Sequence, residues 1–187
     1  MSHGDNRRER EHGDPACAGG ETGLLAIVAT LVDYGVDFVV IGGFAVGHHG
    51  YPRATKDVDV VPAPDPENLE KLWQALVEVE AQPLALGYFR LEELPVPFSR
   101  DGLLQGGSWD LSTVHGRLDI IQYRAGAIET PEDYKRLRAS AVREKHPFGT
   151  WSVAGYEDLI DLKMLAGREQ DLVDIRALRE ANEDTAP

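Results

Sequence analysis

The chain has 187 residues, 42% apolar and 27% charged, which suits one soluble domain with a sizeable core, or one domain with a small appended lobe. With 19 basic and 32 acidic residues its net charge is −13, so it lacks the basic field of a passive polyanion binder. A single cysteine, Cys17, excludes an intrachain disulfide framework and a cysteine-based metal site, and fits a reducing cytoplasm.

Met1 to Gly20 is polar, mixes both charges and has no hydrophobic stretch, so it reads as a disordered tail rather than a secretory signal. Nowhere does an apolar run approach the ~20 residues of a membrane helix, and no membrane partner is expected. "ETGLLAIVATLVDYG" carries Leu24, Leu25, Ile27, Val28, Leu31 and Val32 at helical spacing, with Gly35 as a stop. "DFVVIG" reads as a buried strand, "GFAVGHHG" as a helix of about two turns broken at Tyr51-Pro52, and "DVDVV" as a second strand. "DPENLEKLWQALVEV" is a helix with Pro66 near its first turn.

From Gln82 to Gly107, prolines, glycines and scattered apolar residues read as strand and loop, a flap over a site. "SWDLSTVHGRLDIIQY" is a hairpin turning at His115-Gly116. "TPEDYKRLRASA" is a helix capped by Thr130, and "HPFGTWSVAG" a small hairpin. The C-terminal stretch is helical with a break at Gly167. The expected class is α/β (α+β), a small mixed sheet flanked by helices. Its spans are a tail at 1–20, a core at 21–125 and a mainly helical part at 126–187.

The informative pattern is Asp57-Val58-Asp59. Side chains at i and i+2 of a strand share a face, so two carboxylates converge while Val58 and Val60 face the core. Like charges there repel unless a cation or a donor neutralises them. Two metal ions ~3.5–4 Å apart are one arrangement for displacement at phosphorus, and Asp119, in "RLDIIQ", offers a third carboxylate. Gly42 and Gly43 follow a strand and open a short helix, a setting in which backbone N–H groups approach a phosphate.

"GG-x-A" followed by "HGYPRATKDVDVV" resembles the first motif of the polymerase-β-type minimal nucleotidyltransferases, nearest to the AbiEii/MenT group of toxin nucleotidyltransferases. "LIDLKMLAGREQDLVDIRAL" is similar to that group's later motifs, a Lys followed by R-x-x-D-x-x-D. The resemblance spans Phe38 to Val61, Arg117 to Ile121 and Asp158 to Leu178. It implies that Asp57 and Asp59 bind Mg²⁺ (or Mn²⁺) and a nucleoside triphosphate, and that Asp119 helps activate the incoming hydroxyl. Gly42 and Gly43 would cradle the β/γ-phosphates, Lys163 would neutralise phosphate charge, and Asp171 would support the site by orienting Lys163 or Arg168. The implied reaction is in-line attack of an acceptor hydroxyl on the α-phosphorus, with pyrophosphate leaving. The implied partners are an RNA acceptor, above all the tRNA 3′ end, and a cognate antitoxin; a protein or small-molecule hydroxyl, or binding without turnover, are the alternatives. The chain departs from the pattern where Gly42-Gly43 replaces the commoner Gly-Ser and where Phe44 follows.

Several residues keep two readings. Arg53, Lys56 and Thr55 either meet the nucleotide or simply decorate a loop. Lys163 lies among apolar neighbours, where a lysine commonly snorkels, and Asp171 and Asp174 suit the first turns of a helix. His48 and His49 read as packing or anchoring residues. The basic stretch Lys135 to Lys145 is either a solvated face or an RNA contact.

Overall fold

Apolar spacing forms the first layer as expected. In the computed structural model, which describes residues 21–84 and 96–183, α1 (Glu21–Asp33) buries Leu24, Ile27, Val28 and Leu31. The tail and its Cys17 lie outside the described residues, as does the middle of the expected flap. The apolar run after Gly35 becomes β1 (Phe38–Ile41), buried throughout. It leads without a loop into α2 (Gly42–His48), so the two glycines are the first residues of that helix and not a linker before it. β2 (Asp57–Pro62) follows, then α3 (Pro66–Glu78), capped by Asp65, whose side chain accepts from the Asn68 N–H.

Within the stretch read as flap, the described parts are β3 (Gln82–Pro83) and a short α4 (Arg100–Leu104) capped by Ser99. The expected hairpin is β4 (Trp109–Thr113) and β5 (Gly116–Ile120), but it turns at Val114-His115, one residue earlier than expected, with Gly116 already in the strand. α5 (Pro131–Ser140) carries a Thr130/Asp133 capping box. β6 (Val142–His146) and β7 (Gly149–Val153) make the second hairpin, longer at its start than the sequence indicated. α6 (Tyr156–Ala166) and α7 (Glu169–Glu183) are separated at Gly167, which adopts φ +61°.

The described strands form one mixed sheet in the order β3-β4-β5-β2-β1-β7-β6. β2 runs antiparallel to β1 and parallel to β5, and β7 joins β1 in parallel. Two strands of the main sheet therefore come from the span read as mainly helical. Val58, Val60, Leu118 and Ile120 are buried along β2 and β5, while Asp57, Asp59 and Asp119 alternate with them and stay half-buried. α1 packs on β2, β5 and β7, α3 on β2, and α2 on β1, β2 and α6. Period-2 alternation thus sorts the valines into the core and the carboxylates onto the face left open.

Buried Asn68 joins three segments. Its side-chain oxygen accepts from the Asp37 N–H (2.6 Å), and its amide donates to the carbonyls of Asp37 and Ala63 (both 2.9 Å). Asn68→Ala leaves these buried groups unpaired and is expected to destabilise the fold by about 2 kcal/mol, read as a lower urea midpoint at unchanged slope.

Candidate active site

Strand register brings the carboxylates together. In the parallel β2–β5 pair Asp59 stands beside Asp119, and in the antiparallel β4–β5 pair Asp119 stands beside Asp110. Neighbouring strands lie about 4.8 Å apart, so the three side chains form a row across one face of the sheet. Asp57 is two residues from Asp59 on that face. Asp110 was not among the residues singled out from the sequence. The turn expected at His115-Gly116 would set Asp110 opposite Ile121; the observed pairing of Thr113 with Gly116 sets it opposite Asp119 instead.

This crowding has an electrostatic signature. Burial first, then the charge of Asp57, pushes the Asp59 carboxyl up to about 6, against the pull of Arg168, Lys163 and Arg124. Burial, then Asp110, Asp59 and Asp57, pushes Asp119 to about 7. Asp119 Oδ1 is buried and has no hydrogen-bond partner among the described residues. Asp59, Asp110 and Asp119 open into a cavity of about 460 Å³, which Arg124, Arg168 and Tyr123 also line.

Gly42 lets Asp59 take its place. It has φ +65°, a conformation that L side chains rarely adopt, and a Cβ there would fall 1.9 Å from Asp59 Oδ2. A Cβ on Gly43 would fall 2.7 Å from Thr55 Oγ1 and 3.1 Å from an Arg53 guanidinium nitrogen. The space that a Cβ would take at the two glycines is filled by Asp59 at Gly42 and by Thr55 and Arg53 at Gly43. Gly43, Arg53 and Thr55 line a second cavity of about 820 Å³, together with Phe44, His48 and Trp151.

The remaining candidates divide. Thr55 Oγ1 lies 3.1 Å from Asp57 Oδ1 and 3.2 Å from the Asp57 carbonyl oxygen. Arg53 grips Asp174 with two parallel bonds, Nε to Oδ1 at 2.7 Å and a terminal nitrogen to Oδ2 at 2.8 Å. Lys163, only 4% exposed, is held by Asp171 (3.1 Å) and Asp174 (2.6 Å). Arg168 Nε donates to Asp171 Oδ2 at 2.8 Å. The result is a chain of alternating charges, Arg53–Asp174–Lys163–Asp171–Arg168. Lys163 neither snorkels to water nor lines either cavity.

Asp174 is fully buried and is no mere helix-end acid. Burial raises its carboxyl, but hydrogen bonds from Arg53, Lys163 and Gln170 outweigh that and hold it at about 2. Lys56 is exposed on its loop and lines neither cavity. His49 Nε2 lies 2.7 Å from the Ala154 carbonyl oxygen, an anchoring contact, and His48 Nδ1 lies 2.6 Å from Glu144.

Among the described residues no three His, Cys, Asp or Glu side chains form a ready-made metal cage. The donor set nevertheless suits a magnesium-like ion. It offers carboxylate oxygens only, one of them buried and unpaired, and such an ion is commonly held by one or two carboxylates plus substrate phosphates and water. Asp57 and Asp59, with Asp119 beside them, are the residues that would hold it.

Solved structures share this architecture. The lincosamide antibiotic adenylyltransferase LnuA, in a lincomycin-bound crystal structure, matches with TM-score 0.56 at 17% identity, over 88% of this chain and 99% of that one. An antigenic nucleotidyltransferase-like protein of Paracoccidioides brasiliensis matches with TM-score 0.54 at 18% identity, over 90% and 79%. ANT(2″)-Ia in complex with adenylyl-2″-tobramycin matches with TM-score 0.51 at 13% identity, over 85% and 88%. At such identities the likeness establishes the fold, and the chain has the nucleotidyltransferase fold. No family model and no curated protein matches the sequence.

Two outcomes are expected. Asp59 and Asp119 titrate higher in the folded chain than unfolded, so between about pH 4 and 7 the native state binds more protons. Stability of the metal-free protein therefore falls as pH rises through that window, and Mg²⁺ raises the melting temperature more at pH 8 than at pH 5. Thermal melts in EDTA and in Mg²⁺ across pH read this directly. Gly42→Ala displaces the Asp59 carboxylate and is expected to weaken Mn²⁺ binding at least tenfold, measured by calorimetry.

Proposed function

We propose that the protein transfers a nucleoside monophosphate from a nucleoside triphosphate to an acceptor hydroxyl. The observation that carries this reading is the row Asp59–Asp119–Asp110, with Asp57 alongside, opening into a cavity that also presents Arg124 and Arg168. Carboxylates that repel one another call for a cation, and the two guanidiniums provide charge for a triphosphate. When bound, a divalent ion would neutralise charge on the phosphates. The chain's own groups do the rest. Arg124 and Arg168 orient the triphosphate, and Asp119, whose side chain lines the same cavity, takes the proton from the acceptor hydroxyl as it attacks the α-phosphorus and pyrophosphate departs. Asp57 and Asp59 hold the cation.

A small molecule bearing an amine beside its hydroxyl is the acceptor that the geometry favours. The cavity is of small-molecule size, its acids outnumber its bases, and the whole chain is acidic. LnuA with lincomycin and ANT(2″)-Ia with an adenylylated tobramycin support this reading by analogy of fold. The second reading is a tRNA 3′ end, with the chain as a toxin held in check by an antitoxin. It has a narrower basis. Lys135, Arg136 and Arg138 are paired with Glu132, Asp158 and Asp37, which leaves Arg143 and Lys145 on β6 as the cations of the basic stretch without an ion pair among the described residues.

Incubation with each α-labelled triphosphate, Mg²⁺ and either total tRNA or a panel of amino-sugar and other hydroxylated small molecules separates the two. Label in a small molecule supports the first reading, and label in tRNA the second. Asp57→Asn and Asp59→Asn are each expected to lower transfer by at least 10³-fold. Wild-type turnover retained in either variant contradicts the assignment.

A further inference from the structure

We infer that Thr55 is a positioning residue, the last link of a brace by which Asp174 on the C-terminal helix fixes the carboxylate of Asp57. The inference rests on the reading of Asp57 and Asp59 as cation ligands and adds a residue that reaches the cation only through Asp57. The brace begins in the core. Asp174 is fully buried, pinned by Lys163 from α6 and by the two-pronged grip of Arg53. Arg53 also donates to the Ala54 carbonyl at 3.1 Å, which fixes the backbone leading to Thr55.

Thr55 and Arg53 both stand beside Gly43, where a Cβ would fall 2.7 Å from Thr55 Oγ1 and 3.1 Å from the Arg53 guanidinium. Thr55 therefore stands between α2 and the start of β2, with its hydroxyl toward Asp57. Its hydroxyl has one proton and two acceptors within reach, Oδ1 of Asp57 and the Asp57 backbone oxygen. Donation to Oδ1 selects one rotamer of Asp57 and leaves Oδ2 for a cation. A hydrogen bond to the outer side of a ligating carboxylate commonly changes metal affinity 10–100-fold, which sets the scale of the expected effect.

The test is Mn²⁺ titration followed by water-proton relaxation, with melts in EDTA alongside. Thr55→Val keeps the shape and removes the donor, and Thr55→Ser keeps the donor. Thr55→Val is expected to weaken Mn²⁺ binding about tenfold. Its melting temperature in EDTA is expected to stay within about 2 °C of wild type. Thr55→Ser should recover affinity to within about twofold. Arg53→Lys, which loses the two-pronged grip, should also weaken binding, and by less in a Thr55→Val background than in wild type because both act through one oxygen.

Wild-type affinity in Thr55→Val, or a Thr55→Ser variant as weak as Thr55→Val, overturns the inference. So does a large fall in the EDTA melt of Thr55→Val, which would make the hydroxyl a part of the fold only. Asp59→Asn separates the two levels of the argument. If wild type binds no Mn²⁺, or Asp59→Asn binds it equally well, the cation reading itself falls and this inference falls with it.

Discussion

Mutual repulsion among carboxylates on adjacent strands is the constraint on which the site depends. Asp59, Asp119 and Asp110 are register partners across β2, β5 and β4, and Asp57 joins them on the same face. Burial and like charge hold Asp59 at about 6 and Asp119 at about 7, so near neutral pH the native state carries an unfavourable concentration of negative charge. A bound cation would answer that repulsion, and Arg124 and Arg168 line the same cavity.

The rest of the molecule holds this arrangement in place. Valines, leucines and isoleucines on the opposite face lock the register of β2 and β5 under α1 and α3, because a slip of one residue would turn the carboxylates into the core. Gly42 leaves the room into which the Asp59 side chain fits. Beside the carboxylates, five alternating charges from Arg53 to Arg168 tie α6 and α7 to the loop before β2. Buried charges of this kind are costly when a partner is lost, which makes the C-terminal helices an integral part of the site.

Much of this was legible from residues alone. Asp57-x-Asp59 within a valine run showed two carboxylates on one strand face, and Asp119, flanked by Leu118 and Ile120, showed a third. Both rest on strict period-2 alternation, a local property. The fold class followed from the order of elements, and Gly167 showed where the last helix breaks. Other features depended on distance. Arg53 and Asp174 are separated by 121 positions, and no local pattern links them. Spacing alone left Lys163 as a snorkelling lysine, whereas the family resemblance implied that Asp171 orients Lys163 or Arg168, and Asp171 contacts both. The start of β6 was missed because "VREKH" is a charged edge strand with no apolar alternation. Asp110 was missed because the hairpin turns one residue earlier than the expected His115-Gly116, which shifts its partner from Ile121 to Asp119.

The most direct measurement is a crystal structure of the protein soaked with Mn²⁺ and a non-hydrolysable nucleoside triphosphate, with anomalous differences recorded for manganese. The account predicts a manganese peak within about 2.0–2.3 Å of carboxylate oxygens of Asp57 and Asp59, with Asp119 facing the same centre and the triphosphate bridging to Arg124 or Arg168. Manganese elsewhere, or those carboxylates closed onto the arginines with no metal between them, would contradict it.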